Sequence, residues 1–462
     1  MTHHILILGN NLTGLITAYR LLHYGFRISV VDIERPAQPT AHLGTSQVAR
    51  ERTSSPSTPL LAASRSIPLI LHGFYHSTWA FLQELSFEWP PPTFQPVYLE
   101  FATAGRKPIA LPKPSRLAWL HPLTRFTLFK GLSWSDRWNI INFLEIQWED
   151  NLLPNHNPDI ESVEAWLIAA KQSERSRSNF WNPLCRFFLT CDVPQASLGA
   201  FIEVLSQYWF GPPLNAATFL APPETLGKLR TTLRQCLSNK GVKFHSFQAR
   251  LQIHTDAEGI QAIELGEKPF KAQAYISSLT PHDLLPLLPE RALARYANFS
   301  SLGHIPEVYG RAIGFTLQEN PSSPRLILNS DPFDWITSQP SSELNSPKTM
   351  VTCVTLREAL AQEHSEEWLI HKAWACIQSL FNLSPSHTQE SCEPRMIQQV
   401  GPFFPCQRGS RAYRPIPTTP ISNLFLAGPW TATNLPSSLE STIKSANQCA
   451  QAVAASFHAT TH

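Results

Sequence analysis

Gly9, Asn11, Gly14 and Asp32 are the residues whose types and spacing point most directly to chemistry. Two glycines five positions apart suit a tight turn and the close approach of a helix to a strand. An acid 23 residues after Gly9 stands where a carboxylate would accept from a ribose hydroxyl. Together they predict a pyrophosphate held at a helix N-terminus, where backbone N–H groups point outward. Asn11 occupies the place of the second glycine, so its side chain is expected to crowd the phosphates. Leu12 follows it at the start of the helix. A second set, Gly428, Trp430, Thr431, Leu435 and Pro436, lies between an apolar run and a helical pattern near the far end of the chain. It predicts another helix N-terminus facing the same ligand, and the alternative is a strand and helix that simply complete a sheet.

The flanking residues supply the elements. His4-Ile5-Leu6-Ile7-Leu8 reads as a buried parallel strand ending at Gly9. Leu12, Leu15, Ile16, Tyr19 and Leu22 recur at helical spacing, and Gly25 follows as a cap. Phe26 to Val31 reads as a second strand with Asp32 at its end. The plain alternative is a βαβ unit whose Asp32 merely starts a turn. Asn423 to Gly428 is another apolar strand, and Leu439, Ile443, Ala446, Ala450 and Val453 mark the final helix, with Pro436 suited to its first turn. Phe244 to Ile253, Ala262 to Glu264 and Ala274-Tyr275-Ile276 read as further strands. Pro/Ser-rich stretches at 54–59, 321–324 and 338–347 read as surface loops.

The 462 residues carry 37 Lys+Arg against 35 Asp+Glu, so no global field draws in nucleic acid. Charged residues are 16%, below the usual ~25%, while 43% are hydrophobic, which excludes a disordered chain. Eight cysteines include no C-x-x-C pair and no zinc-like spacing with histidine, so buried free thiols in a reducing compartment, and no metal site, are expected. No apolar stretch approaches a membrane span. Asn10-Asn11 interrupts the N-terminal apolar run, which argues against a signal peptide and for a cytoplasmic protein. Residues 101–138 hold Arg106, Lys107, Lys113, Arg116, Arg125, Lys130 and Arg137 interleaved with Trp119, Phe126, Phe129 and Trp134. Such a segment suits a lipid interface, on the inner face of the cytoplasmic membrane, or equally a helix pair with a solvated basic face.

Other residues carry less. His3-His4, His72 and His245 read as surface or core histidines, and Glu366-Glu367 as a solvated helix face. In Asp331-Pro332-Phe333-Asp334-Trp335 a carboxylate beside apolar groups would gain proton affinity and act as a donor, but a surface loop is the plainer reading.

The run Asn423 to Pro436 resembles the C-terminal flavin motif of bacterial hydroxysqualene dehydroxylases, the squalene-associated FAD-dependent desaturases of the amine oxidase/phytoene desaturase superfamily. Gly131 to Arg137, Ser162 to Leu167, Phe180 to Cys185 and the Phe404-x-Cys406 pair resemble other segments of that family, in the same order. The departures fall near its chemistry. Pro429 replaces an acid after Ala-Gly, Gly44-Thr45-Ser46 reduces a Gly-Gly-Arg element, Ile67-Pro68-Leu69 alters another, and Val400-Gly401 replaces a Lys-Arg pair.

The resemblance implies an α/β fold: a Rossmann-like FAD-binding domain of residues 1–75, 225–290 and 390–462, with an inserted α+β substrate domain of 76–224 and 291–389. FAD is the implied cofactor, and an apolar polyisoprenoid the implied substrate. The implied reaction removes the hydroxyl of hydroxysqualene reductively to give squalene, a step of hopanoid and isoprenoid lipid metabolism. Squalene synthase-like pathway proteins are the implied partners. Two alternatives stand beside this: a non-catalytic or cofactor-weakened lipid-binding protein on the same fold, and an FAD-dependent carotenoid desaturase or amine oxidase.

Overall fold

In the computed structural model, the strand β1 (His4–Leu8) buries every side chain from Ile5 to Leu8, because it is the central member of a five-stranded parallel sheet. The order across the sheet is Leu424–Leu426, Ala274–Ser277, β1, β2 (Arg27–Ile33) and Lys243–Phe247. Side chains alternate along a strand. Ile5 and Ile7 therefore join the core that contains Leu15 and Ile16 of the helix α1 (Leu12–Leu22) and Ile443 of the C-terminal helix Leu439–Ala459. Leu6 and Leu8 join a separate core on the other face, with Leu251, Ile253 and Ile263 of an antiparallel meander. A strand covered on both faces needs the continuous apolar run that the sequence shows. The structure describes residues 3–33, 67–87, 96–102, 107–113, 121–149, 159–209, 211–247, 251–256, 259–265, 268–317, 323–329, 331–340, 348–357, 363–381, 383 and 394–459.

Phe244 to Ile253, expected as one strand, divides between two layers. Lys243–Phe247 pairs with β2 in the parallel sheet, whereas Leu251–Thr255 pairs with Ile260–Leu265 in the meander. Both segments are apolar enough for a strand, and only tertiary pairing separates them. The Gly44–Ser46 departure lies outside the described residues, as do Arg106, Arg116 and Trp119 of the basic segment.

A seven-stranded mixed sheet forms the second body, in the order Pro394–Phe403, Val308–Leu317, Thr349–Thr355, Trp335–Pro340, Arg325–Asn329, Leu99–Ala102 and Ile109–Ala110. One face packs Ile313, Phe315 and Ile336 against Leu369, Ala373 and Ile377 of the helix Glu366–Phe381. The other face places Trp335 and Leu328 in the larger core, which reaches Phe180, Trp181 and Trp209 of the helical region. The chain is thus an α/β protein with a Rossmann-like sheet and an inserted α+β part. Among the described residues no helix is long and apolar enough to cross a membrane.

Candidate cofactor site

The carboxyl ends of five parallel strands meet along one edge, the edge at which open α/β sheets bind ligands. β1 ends at Gly9, whose φ of +108° lies in the region that glycine alone adopts easily. The Gly9 N–H donates to Val31 O at 2.9 Å and ties the turn to β2. Ser278, one residue past the strand Ala274–Ser277, donates its hydroxyl to Leu8 O at 2.9 Å. A Cβ on Gly9 would lie 2.4 Å from that Ser278 Oγ, and one on Gly14 only 2.2 Å from Gly9 O. Both glycines are therefore required by contact, and α1 starts directly against the end of β1.

Asn11 does not simply crowd this turn. It is the N-cap of α1, where its Oδ1 accepts from the Gly14 N–H at 2.9 Å and its Nδ2 donates to Ser278 O at 2.6 Å. Its φ of −86° asks for no glycine. The side chain takes one helix N–H away from a ligand and leaves Leu12 and Thr13 as the first donors of the helix. Leu12 itself is half-buried against the core.

Asp32, at the end of β2, accepts from Asn10 Nδ2 at 2.9 Å. Asn10 is buried, and its Oδ1 has no hydrogen-bond partner among the described residues. Arg230, on the helix Thr225–Asn239, donates to Asn10 O at 2.8 Å. Burial lowers the Arg230 pKa, and the Asp32 carboxylate works against that shift. Asn10 and Arg230 escaped the sequence reading. Asn10 was legible only as an interruption of an apolar run, and Arg230 is 220 residues away in the chain.

The C-terminal group is arranged differently. Gly428 N–H donates to Ser445 Oγ at 2.9 Å, and the Thr431 hydroxyl lies 2.7 Å from that same oxygen and donates to Gly428 O at 2.9 Å. Trp430 is buried in the core on the meander face with Leu6, Leu424 and Leu426. A Cβ on Gly428 would lie 2.3 Å from the Trp430 indole nitrogen. Leu435 is buried, and its carbonyl accepts from Arg414 at 3.1 Å. Pro436 is not in the first helical turn as expected. The helix begins at Leu439, where Ser438 Oγ accepts from Ser441 N–H at 3.2 Å. Serine is a strong N-cap, so the turn starts there rather than at the proline. Glu440 accepts from the N–H groups of Ser77 and Thr78 at 3.0 and 2.8 Å, which caps the helix His76–Glu84 from outside.

A dinucleotide fits the N-terminal turn on two observations. The Gly9–Gly14 contact brings a helix N-terminus onto the strand end, and a buried Asn10 oxygen lacks a donor beside Asp32. In the C-terminal loop the polar groups of Gly428 and Thr431 are occupied internally, while the buried Thr433 hydroxyl has no partner among the described residues.

A family model described as flavin containing amine oxidoreductase matches residues 68–454. The chain belongs to that family. FAD is its cofactor. The hydroxysqualene dehydroxylase of Sinorhizobium fredii (strain NBRC 101917 / NGR234) is 44% identical over 59 residues, a stretch that spans 13% of each chain. Among solved structures, an oxidoreductase from Methanosarcina mazei superposes with a TM-score of 0.67 at 17% identity, covering 96% of this chain and 98% of its own. A putative protoporphyrinogen oxidase from Exiguobacterium sp. 255-15 gives 0.64 at 13%, covering 98% and 99%. Cyclohexylamine oxidase from Brevibacterium oxydans IH-35A gives 0.63 at 12%, covering 99% and 100%.

Three further expectations meet the structure of this flavin oxidoreductase. Asp334 is no surface carboxylate: it is fully buried, and burial raises its pKa. Its Oδ2 accepts from Leu356 N–H at 2.6 Å, while Arg186 and Arg357 stand 3.7 and 3.9 Å from Oδ1, which opposes the rise. Asp331 alone faces solvent, paired with Arg357 at 2.9 Å. In the basic segment, Arg125 is buried rather than solvated, whereas Lys113 and Lys130 are exposed. His72 is a core histidine, its pKa lowered to about 3 by burial.

Proposed function

We propose that this protein is an FAD-dependent reductase of a polyisoprenoid alcohol, close in activity to hydroxysqualene dehydroxylase. The carrying observation is the 44% identity to that enzyme over 59 residues, against 12–17% for the three structural relatives. The ordered family segments and the aromatic interior around Phe180, Trp181 and Trp209 support the same reading. In the overall reaction a substrate R–OH gains two electrons and two protons and becomes R–H and water. Bound reduced FAD supplies hydride to the carbon that loses its hydroxyl.

The chain has three tasks: to hold the cofactor at the Gly9–Gly14 turn, to keep water from an allylic cation, and to hold a proton for the departing hydroxyl. Among the described carboxyls Asp334 is the one whose pKa burial raises, so it is the candidate proton holder. Its titration predicts a sign. Activity that needs protonated Asp334 falls as pH rises through its raised pKa, and Asp334→Asn lowers kcat and flattens that limb. An unchanged profile in a folded Asp334→Asn protein removes it from the reaction.

The deciding experiment purifies the full chain, reads its flavin spectrum, and supplies hydroxysqualene under reducing conditions with product analysis by mass spectrometry. Squalene is the expected product. A flavin-loaded protein that leaves hydroxysqualene intact but turns over a carotenoid or an amine overturns the substrate. Colourless protein that refuses added FAD favours the lipid-binding reading, for which the internally occupied groups of Gly428 and Thr431 speak.

A lipid substrate also calls for access to a membrane. Leu128, Trp134 and Trp138 are exposed at 63%, 65% and 53%, and Lys113 and Lys130 carry exposed charge in the same segment. Exposed tryptophans with lysines suit an interfacial contact. Replacing Trp134 and Trp138 by Ser is expected to abolish sedimentation with anionic vesicles, and retained sedimentation would reject the contact.

A further inference from the structure

Arg125 belongs to the helix His121–Leu128 and is 1% exposed. Its Nε donates to Pro112 O at 3.2 Å, but among the described residues Nη1 and Nη2 are buried with no hydrogen-bond partner. The guanidinium stands 5.2 Å from the Tyr208 ring centroid and 6.0 Å from that of Trp209. Both rings lie at the end of the helix Leu198–Trp209, and the Tyr208 hydroxyl and the Trp209 indole N–H are likewise buried without a partner. Three neighbouring side chains therefore present donors, and the Tyr208 oxygen beside the guanidinium is the one neutral acceptor that opposes its desolvation at close range. The surrounding groups are apolar and fully buried, Phe126 and Trp181 among them.

The charge is not compensated within the described residues. Burial lowers the Arg125 pKa, and only Tyr208 and Tyr98 oppose it, with no carboxylate among the causes. A ring face offsets part of the loss. Yet a buried ion without a counter-ion is strongly unfavourable, and an apolar side chain of similar volume would often be more stable there. A guanidinium fork with both outer nitrogens free matches the two oxygens of a carboxylate or a phosphate. Indole N–H and phenol O–H are suitable additional donors, the indole donating only and the phenol able to donate while its oxygen accepts.

We propose that Arg125, Tyr208 and Trp209 form a binding site for an oxyanion head group, carboxylate or phosphate, carried on an apolar molecule. The aromatic surroundings select the apolar body, and the fork selects the head. The site stands independently of the reductive reading above, since it needs neither bound flavin nor a polyisoprenoid alcohol.

Its test titrates the full chain with octanoate, octyl phosphate, octanol and inorganic phosphate, following tryptophan fluorescence and the thermal midpoint. An eight-carbon anion is expected to bind at least about tenfold more tightly than octanol, a difference of roughly 1.4 kcal/mol. Preference for octanoate assigns a carboxylate and preference for octyl phosphate a phosphate ester, and either upholds the site; inorganic phosphate binding as tightly as the eight-carbon anions overturns the apolar body of the ligand. Arg125→Met is expected to lose the tenfold preference while the ligand-free midpoint holds or rises. If that variant fails to fold, Arg125→Lys keeps the charge without the fork and is expected to lose most of the preference. Octanol binding as tightly as the anions, or either folded variant keeping the wild-type preference, overturns the proposal.

Discussion

At the end of β1, the Gly9 turn leads straight into α1 under the Asn11 cap, and Asn10 holds a buried oxygen with no donor among the described residues. At the end of Leu424–Leu426, two strands away in the same sheet, Gly428 and Thr431 close on Ser445, and Trp430 turns into the core. Both strands end in glycine and precede a helix, so their sequences look alike. The difference lies in the route from strand to helix. The first helix is capped by Asn11, one residue from the strand turn, whereas the second starts only at Leu439, after a loop in which Gly428 and Thr431 are bonded to Ser445. A glycine-ended strand is thus a precondition for a ligand edge and not a guarantee of one.

The largest expected effect is at Gly14. An alanine Cβ there would sit 2.2 Å from Gly9 O, backbone that cannot give way without moving β1. Gly14→Ala is expected to cost about 3 kcal/mol or more in chemical denaturation and to abolish flavin retention. Normal stability would mean that α1 does not press on the strand end. Next come Asp32→Ala and Arg230→Met. Each removes one side of the Asn10 arrangement, worth roughly 1.5–3 kcal/mol as a charge-assisted contact. FAD affinity measured by flavin fluorescence is expected to fall about ten- to a hundredfold. Unchanged affinity would place the adenosine elsewhere.

Ser445→Ala sharpens the comparison from the other side. It strands the buried Gly428 N–H and removes one of the two partners of the Thr431 hydroxyl, which keeps Gly428 O, a loss of about 1–3 kcal/mol. The C-terminal loop is expected to lose thermal stability more than flavin affinity. An affinity loss with intact stability would show that the loop's polar groups serve the cofactor after all.

The sequence was most legible where pattern and partner coincide. Ile5 to Leu8 is apolar throughout because both faces of that strand are covered, and α1 repeats every three or four residues because one face is. Gly9, Gly14 and Asp32 were readable because their spacing within one βαβ unit fixes their meeting. Arg230, Glu440, Asp334 and Arg125 were not. Glu440 reaches Thr78 across 362 positions, and nothing local in either segment marks the pairing. Asp334 sits in a run that also suits an exposed turn, and its burial comes from strand Thr349–Thr355, whose Val354 carbonyl accepts its N–H at 2.8 Å. Pro436 misled because proline suits a first helical turn, while Ser438 offers the stronger cap.

The smallest expected effect is at Asn11 and Pro429, the two positions where the nucleotide edge departs from the resembled family. With the Asn11 side chain engaged by Gly14 N–H and Ser278 O, its removal opens space at the phosphates and frees a helix donor, but it also removes a cap. Replacing an asparagine cap by glycine costs only a few tenths of a kcal/mol, so Asn11→Gly is expected to leave the fold intact. The freed Gly14 N–H would donate to a phosphate, a contact worth up to about 1.5–3 kcal/mol, from which the lost Ser278 link subtracts. Pro429→Asp restores an N–H and an acceptor, but Gly428 and Thr431 beside it remain bound to Ser445. The double variant is therefore expected to bind FAD about three- to tenfold more tightly, with most of the gain from Asn11→Gly alone. Apoprotein titration of the two single variants separates the contributions. A larger gain from Pro429→Asp would show that the C-terminal loop opens toward the cofactor, and the contrast between the two strand ends would fail.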